Sequence, residues 1–183
     1  MAKTFIALLY SIGIAGGGRL VMADWRAMME GIGLRNPRTL IATGNAVFES
    51  DGRDIRKLEK RLEDAFELRF GRRVDVVVRA ASSFRRMAAG NPFPKESRRD
   101  GSRVAVRVMR EPAGKDLETT LKPRLTQGER VKVVRGDLWI HFKHEPARSR
   151  LMPVLASKRL GAGTVRNWNT IRRLCEMAER FSS

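Results

Sequence analysis

The chain has 183 residues, 42% of them apolar, and its 37 basic and 20 acidic side chains leave a net charge of +17. That apolar share is enough for packed cores, and the length suits one domain or two small ones. No apolar stretch approaches the roughly 20 residues of a membrane-spanning helix, and the single Cys175 excludes an internal disulfide, so a reducing, cytoplasmic compartment is expected.

The charge is uneven. Residues 1–50 hold five basic and three acidic side chains, so +15 of the total lies in residues 51–183. Such a balance favours polyanions, chiefly nucleic acid or an anionic surface, through the summed field and counterion release. The plain alternative is an arginine-rich habit spread over a solvated surface.

Taken in order, Thr4–Tyr10 is apolar on both alternating faces and predicts a central strand covered twice. It resembles a signal-peptide core, but the run is short and no Ala-x-Ala follows. A glycine-rich loop spans Gly13 to Arg19. Met22, Trp25, Met28, Met29 and Ile32 then mark an amphipathic helix ended by Gly31 or Gly33. Residues 39–43 and 46–49 read as a hairpin around Gly44-Asn45. Ile55, Leu58, Leu62, Ala65 and Phe66 mark a second helix closed by Gly71. Val74–Val78 is a fourth strand, and Ser83–Ala89 a short extra helix.

Residues 93–101 follow, rich in proline and polar side chains, and read as a linker between domains 1–92 and 102–183. The pattern then repeats. Arg103–Met109 is a strand, and Leu117 and Leu121 sit on a helix that Pro123 stops. Val131–Val134 and Leu138–Phe142 form a hairpin around Gly136-Asp137. Pro153 opens a helix that ends at Gly161, and the strand Thr164–Arg166 leads into a last helix. Each half is thus β-α-β-β-α-β plus a helix. The fold class is α+β: two duplicated ferredoxin-like, split-βαβ units, each followed by an extra helix.

Val78-Arg79 through Arg85-Arg86-Met87 lines up with Val165-Arg166 through Arg172-Arg173-Leu174 at a constant offset of 87, which reads as an internal duplication. The second copy, Thr164-Val165-Arg166-Asn167-Trp168-Asn169-Thr170, is the most distinctive stretch of the chain. Asn167 is placed to cap the last helix. Trp168 begins the apolar stripe with Ile171, Leu174, Cys175 and Ala178, so its ring is expected in the core. Arg166 is expected to be fixed by a carboxylate or a carbonyl.

This stretch, with Ile6-Ala7-Leu8-Leu9, Gly16-Gly17, Met22-Ala23, Thr43-Gly44-Asn45-Ala46-Val47-Phe48 and Asn91-Pro92-Phe93, resembles the bacterial family called domain of unknown function 1697. The resemblance covers nearly the whole length and implies two plait-like domains, but no activity. The chain departs from the family pattern in the first loop. Tyr10, Ser11, Gly13 and Ala15 stand where the family has arginine, glycine, asparagine and glycine. Met152 stands where a threonine precedes the proline.

Two sets of residues are candidates for binding. The first would take a small anion or nucleotide between the duplicated halves. It comprises the strand–helix loop of Gly13, Gly16, Gly17 and Arg19, the turn Thr43, Gly44 and Asn45, and Arg166, Asn167 and Asn169. The loop lacks a Gly-x-Gly-x-x-Gly or Gly-Lys-Ser/Thr signature, and a simple connection or hairpin turn explains these glycines as well. The second set would bind nucleic acid, RNA or single strands. Strand alternation separates Val104, Val106 and Val108 from Arg103, Ala105, Arg107 and Met109. Lys132, Trp139 and His141 are expected to join the arginine face as an open stacking platform. The aromatic strand motifs of RNA-recognition modules are missing, and contact with another surface explains the same face. His141 and His144 lack ligand-spaced partners, and no nucleophile constellation is visible. No metal or cofactor is therefore expected, and the reading leans away from an enzyme.

Overall fold

The computed structural model describes residues 2–10, 20–41 and 44–181. The strands are β1 (Lys3–Leu9), β2 (Arg35–Leu40), β3 (Asn45–Ser50), β4 (Val76–Ala80), β5 (Val104–Met109), β6 (Arg130–Val134), β7 (Asp137–His141) and β8 (Gly163–Asn167). The α-helices are α1 (Met22–Gly31), α2 (Ile55–Phe70), α3 (Ala81–Ala89), α4 (Pro94–Arg99), α5 (Asp116–Leu121), α6 (Met152–Leu155) and α7 (Trp168–Glu179). Two compact units result, one of residues 1–85 with 174–183 and one of residues 86–173; the division falls within α3 and within α7. Among the described residues, no helix is long and apolar enough to cross a membrane.

The first unit is an antiparallel sheet in the order β2-β3-β1-β4. This is the split-βαβ arrangement, with β3 inserted between β1 and β2. Helices α1 and α2 cover one face. Trp25 and Met29 from α1 and Leu62 and Phe66 from α2 pack on Phe5, Ala7, Phe48 and Val78. Trp25 meets Phe66 edge to face at 5.7 Å, and Phe5 stacks on Phe48 at 5.7 Å. Ile6, Leu8, Val47 and Val77, which alternate with these residues, are also fully buried. The central strand β1 is thus apolar on both faces because both are closed to water. The edge strand β4 is held from α2: Glu63 accepts from the Val76 N–H at 2.9 Å and Glu59 from the Val78 N–H at 3.0 Å. Side-chain carboxylates here take the place of the next strand, one way an exposed edge is managed.

The second unit repeats the plan, with strand order β6-β7-β5-β8. Val78-Arg79 and Val165-Arg166 both lie in the last strand of their sheet, and each strand runs directly into a helix. The turns before β3 and β7 also match. Gly44 (φ +70°) precedes buried Asn45, and Gly136 (φ +86°) precedes buried Asp137. The second hairpin turns on Arg135-Gly136, one residue earlier than the sequence suggests, with Arg135 itself left-handed at φ +53°. Residues 93–101, expected as a linker, carry α4 and belong to this unit. The helix expected from Pro153 to Gly161 is only α6, followed by a 3-10 turn at Lys158–Leu160.

The core of this unit lies between its sheet and the segments α5, α6 and 158–160. It includes Leu121, Leu138, Ile140, Leu151 and Leu155. One cation lies within it: Arg107 of β5 is completely buried. Its guanidinium donates to the carbonyls of Leu155 (2.9 Å), Gly161 (2.8 Å) and Ser157 (3.3 Å). The segment 155–161 has little regular structure, so its carbonyls need partners from elsewhere. The planar, five-donor guanidinium supplies them from one side chain.

This packing generates two stability predictions. Gly44→Ala places a side chain in a left-handed residue, with its Cβ 2.5 Å from Leu9 Cδ1. Backbone strain and overpacking together are expected to cost roughly 2–4 kcal/mol, read as a lowered urea midpoint at unchanged m-value. Arg107→Met leaves the Leu155, Ser157 and Gly161 carbonyls without this donor, the first of them buried, and is expected to cost about 2–3 kcal/mol. Arg107→Lys recovers little, because an ammonium cannot span the same acceptors. A midpoint for Arg107→Met equal to wild type contradicts the clamp.

Candidate functional site

The stretch 164–170 is built into the second unit. Burial lowers the Arg166 pKa to about 10, so the guanidinium stays protonated at neutral pH. It donates to Thr164 Oγ1 (2.7 Å) and to the Val165 carbonyl (2.8 Å). Asn167 Oδ1 accepts from the Thr170 N–H at 2.9 Å, the expected cap. Asn169 and Trp168 press on Gly101, where an added Cβ would collide with Asn169 Oδ1 and lie 3.1 Å from Trp168 Cδ1. Trp168 is only half-buried, not a core residue as its helical stripe suggests, and its ring stands 6.1 Å from that of Trp139. Asn45 is fully buried and donates to the Leu40 carbonyl, so its amide is committed to the turn. Gly13, Gly16, Gly17, Arg19 and Thr43 lie outside the described residues.

The open basic–aromatic face expected around Arg107 and Trp139 does not form. Across β5 and β7, Val106 pairs with Trp139 and Val104 with His141. Paired residues share a sheet face, so Trp139, His141 and Lys132 lie with the valines, and Arg107 lies opposite. Val104, Val106, Val108 and Trp139 are buried, so that face is no platform. The buried Trp139 indole N–H has no hydrogen-bond partner among the described residues. Of the five candidates, Lys132 is exposed on β6, and Arg103 and His141 come together elsewhere.

They meet at a surface pocket of about 610 Å³ lined by Glu96, Arg99, Asp100, Arg103, Arg130, His141 and Lys143. Helix α4, the start of β5, the start of β6 and the end of β7 bring these residues together. The Asn91-Pro92-Phe93 stretch sets α4 in place. Asn91 Oδ1 accepts from the Phe93 N–H (2.9 Å), and Asn91 Nδ2 donates to Ser97 Oγ (2.6 Å). Pro94 occupies the first turn, where its missing N–H costs nothing. Buried Phe93 backs two of the lining residues: the Arg130 guanidinium lies 5.1 Å over its ring, and the His141 ring stands 5.9 Å away.

The charges are partly paired. Arg130 bonds Glu96, and Arg103 bridges Asp100 at 3.1 Å while donating to the Lys143 carbonyl at 3.0 Å. The Arg130 hydrogen bond holds the Glu96 carboxyl below its ordinary range. The Ser102 hydroxyl, 2.5 Å away, does the same for Asp100, with Arg103 and Arg99 adding to it. Burial pushes His141 below the usual histidine range, and Arg130, whose Nη2 lies 3.3 Å from His141 Nδ1, pushes it the same way against Glu96. Four permanent cations face two carboxylates, so the pocket carries a net +2 at neutral pH. Among the described residues, Arg99 and Lys143 make no carboxylate bridge within 4.0 Å, unlike Arg103 and Arg130. Glu96, Arg99 and Asp100 escaped the sequence reading because 93–101 resembles a linker, and Arg130 and Lys143 because each lies at or beyond the end of a strand, where alternation assigns no face. Pro94 with Arg98 and Arg99 four and five residues on is the helix signal that marks it.

No curated protein matches the sequence. The solved structure of conserved bacterial protein SP0830 from Streptococcus pneumoniae is similar over 97% of this chain and 99% of that one, with 21% identity and a TM-score of 0.75. At that identity the likeness speaks for the fold alone. Residues 2–139, more than half of the chain, match the family described as protein of unknown function DUF1697. The chain therefore belongs to that family, the one its Thr43–Phe48, Asn91–Phe93 and Thr164–Thr170 stretches resemble.

Proposed function

We propose that the protein is a basic binding module for nucleic acid, RNA or single strands, and that the second unit supplies the docking surface at the 96–143 pocket. The observation that carries this reading is where the charge collects. Residues 86–173 hold 21 basic and 8 acidic side chains, a net +13, whereas residues 1–85 with 174–183 hold 16 and 12, a net +4. Within the second unit, Arg99, Arg103, Arg130 and Lys143 converge on one pocket.

A phosphate backbone suits it better than a base. Phe93 is buried and its face is covered by Arg130, so that ring is not free to stack a base. Phosphate oxygens need only donors, which Arg99 and Lys143 supply without breaking the two carboxylate bridges. Such binding is driven by counterion release, falls steeply with salt, and shows modest sequence preference. The same reading places the protein in the cytoplasm, where its one thiol stays reduced.

Fluorescence anisotropy with labelled single-stranded RNA and DNA, at about 50 and about 200 mM salt, tests the proposal. Binding at low micromolar protein is expected in low salt. The Arg99→Gln/Lys143→Gln double variant is expected to flatten the log–log salt slope by about 1.4, or about 0.7 for each phosphate no longer neutralised. An unchanged slope rules the pocket out as the docking surface, and no binding in low salt removes the function.

The site also predicts a pH dependence. A bound polyanion favours the protonated His141 imidazolium, and burial holds the free imidazole below the ordinary value of about 6.5, so affinity rises as pH falls below that value. His141→Gln abolishes that increment and leaves binding at pH 8 unchanged. In the free protein the sign for stability is opposite. Native His141 titrates below its unfolded value, so its contribution to stability is present above the unfolded pKa and is lost as pH falls.

A further inference from the structure

The second unit has another concavity, of about 460 Å³, that shares no residue with the 96–143 pocket. Its floor is apolar. Leu121 is buried in the core of the unit, and Val154 and Leu160 pack against that core from the pocket side. Its polar lining comprises Thr120, Arg124, Ser157 and Arg159, and no carboxylate among the described residues lines it. Arg124 and Arg159 are both exposed. The Arg159 N–H donates to Ser157 Oγ at 3.2 Å, which leaves the serine proton to be donated elsewhere. One wall, residues 153–160, is held from behind, because Arg107 bonds the carbonyls of Leu155, Ser157 and Gly161.

We propose that this pocket binds a small amphipathic anion, with its apolar body on Leu121, Val154 and Leu160 and a single carboxylate or phosphate head between Arg124, Arg159 and the Ser157 hydroxyl. Three observations converge on that chemistry. The volume falls within the roughly 300–1,000 Å³ of small-molecule sites, which join an apolar lining to a few polar groups. Two guanidinia with no opposing carboxylate select an anion, and guanidinium geometry fits carboxylate and phosphate alike. The wall that carries Arg159 and Ser157 is fixed by a buried side chain, so little ordering is lost on binding. An extended polyanion does not fit the same description, because the apolar floor gives a phosphodiester backbone nothing to bury.

Isothermal titration of the full chain tests it with octanoate, octyl phosphate, octanamide and acetate. Octanoate or octyl phosphate is expected to bind saturably at one site, at least about tenfold more tightly than octanamide. Acetate, which lacks the apolar body, is expected to give no saturation. The Arg124→Gln/Arg159→Gln variant should lose at least about tenfold in affinity for the anion, with the melting temperature of wild type. Thr120→Trp, which replaces an exposed residue of α5 and fills the pocket, should abolish binding with its fold intact. Equal affinity for octanoate and octanamide overturns the proposal. So does unchanged anion binding in the double arginine variant, or failure of both eight-carbon anions to saturate at millimolar concentration.

Discussion

The pairing of Val106 with Trp139 on one side of β5 and with Arg166 on the other settles where the second unit's cations go. Strand side chains alternate with a period of two, so a slip of one residue would exchange the faces. In this register Arg107 points into the core, where it meets carbonyls of a segment too irregular to satisfy itself. The valines and Trp139 take the opposite face and are buried. The faces of β5 and β7 are thereby largely closed to ligands, and much of the positive charge that meets solvent lies at strand ends, on the edge strand β6, on α4 and on the segments around α5 and α6.

Much of the architecture was legible in the sequence. Apolar periodicity located α1, α2 and α7; the stop glycine Gly71 and the cap Asn167 sit where the pattern puts them. The offset of 87 residues between Val78-Arg79 and Val165-Arg166 reflects two strands in equivalent places. What stayed hidden has physical causes. Alternation sorts residues within one strand, but no short turn joins β5 to β7, so nothing local ties the parity of Arg107 to that of Trp139. Six-residue α4 is too short to show a period, and its prolines and polar residues imitate a linker. Trp168 keeps helical spacing with Ile171, yet it stands at the first residue of its helix, beside Gly101 rather than in the core.

The two proposed sites differ in what they would ask of a ligand. The 96–143 pocket is polar, with its charges partly neutralised by Glu96 and Asp100, and offers donors to oxygens without burying much of anything else. Its strength depends on many weak, screened contacts and on the +13 of the unit around it. The 120–160 pocket offers apolar area and a pair of arginines, so it selects by shape as well as charge. Arg107 connects it to the fold, because the same buried guanidinium that completes the core holds the pocket wall.

On the proposed function, the excess charge is organised at the 96–143 pocket and is not a diffuse property of an arginine-rich surface. An NMR titration of the isotopically labelled protein with a single-stranded RNA of roughly ten nucleotides, within the span of known single-strand sites, addresses it directly. Amide and side-chain shifts are expected to concentrate at Arg99–Arg103, Arg130 and His141–Lys143. Shifts spread over both units in proportion to their arginines and lysines, or none at all in low salt, would contradict it.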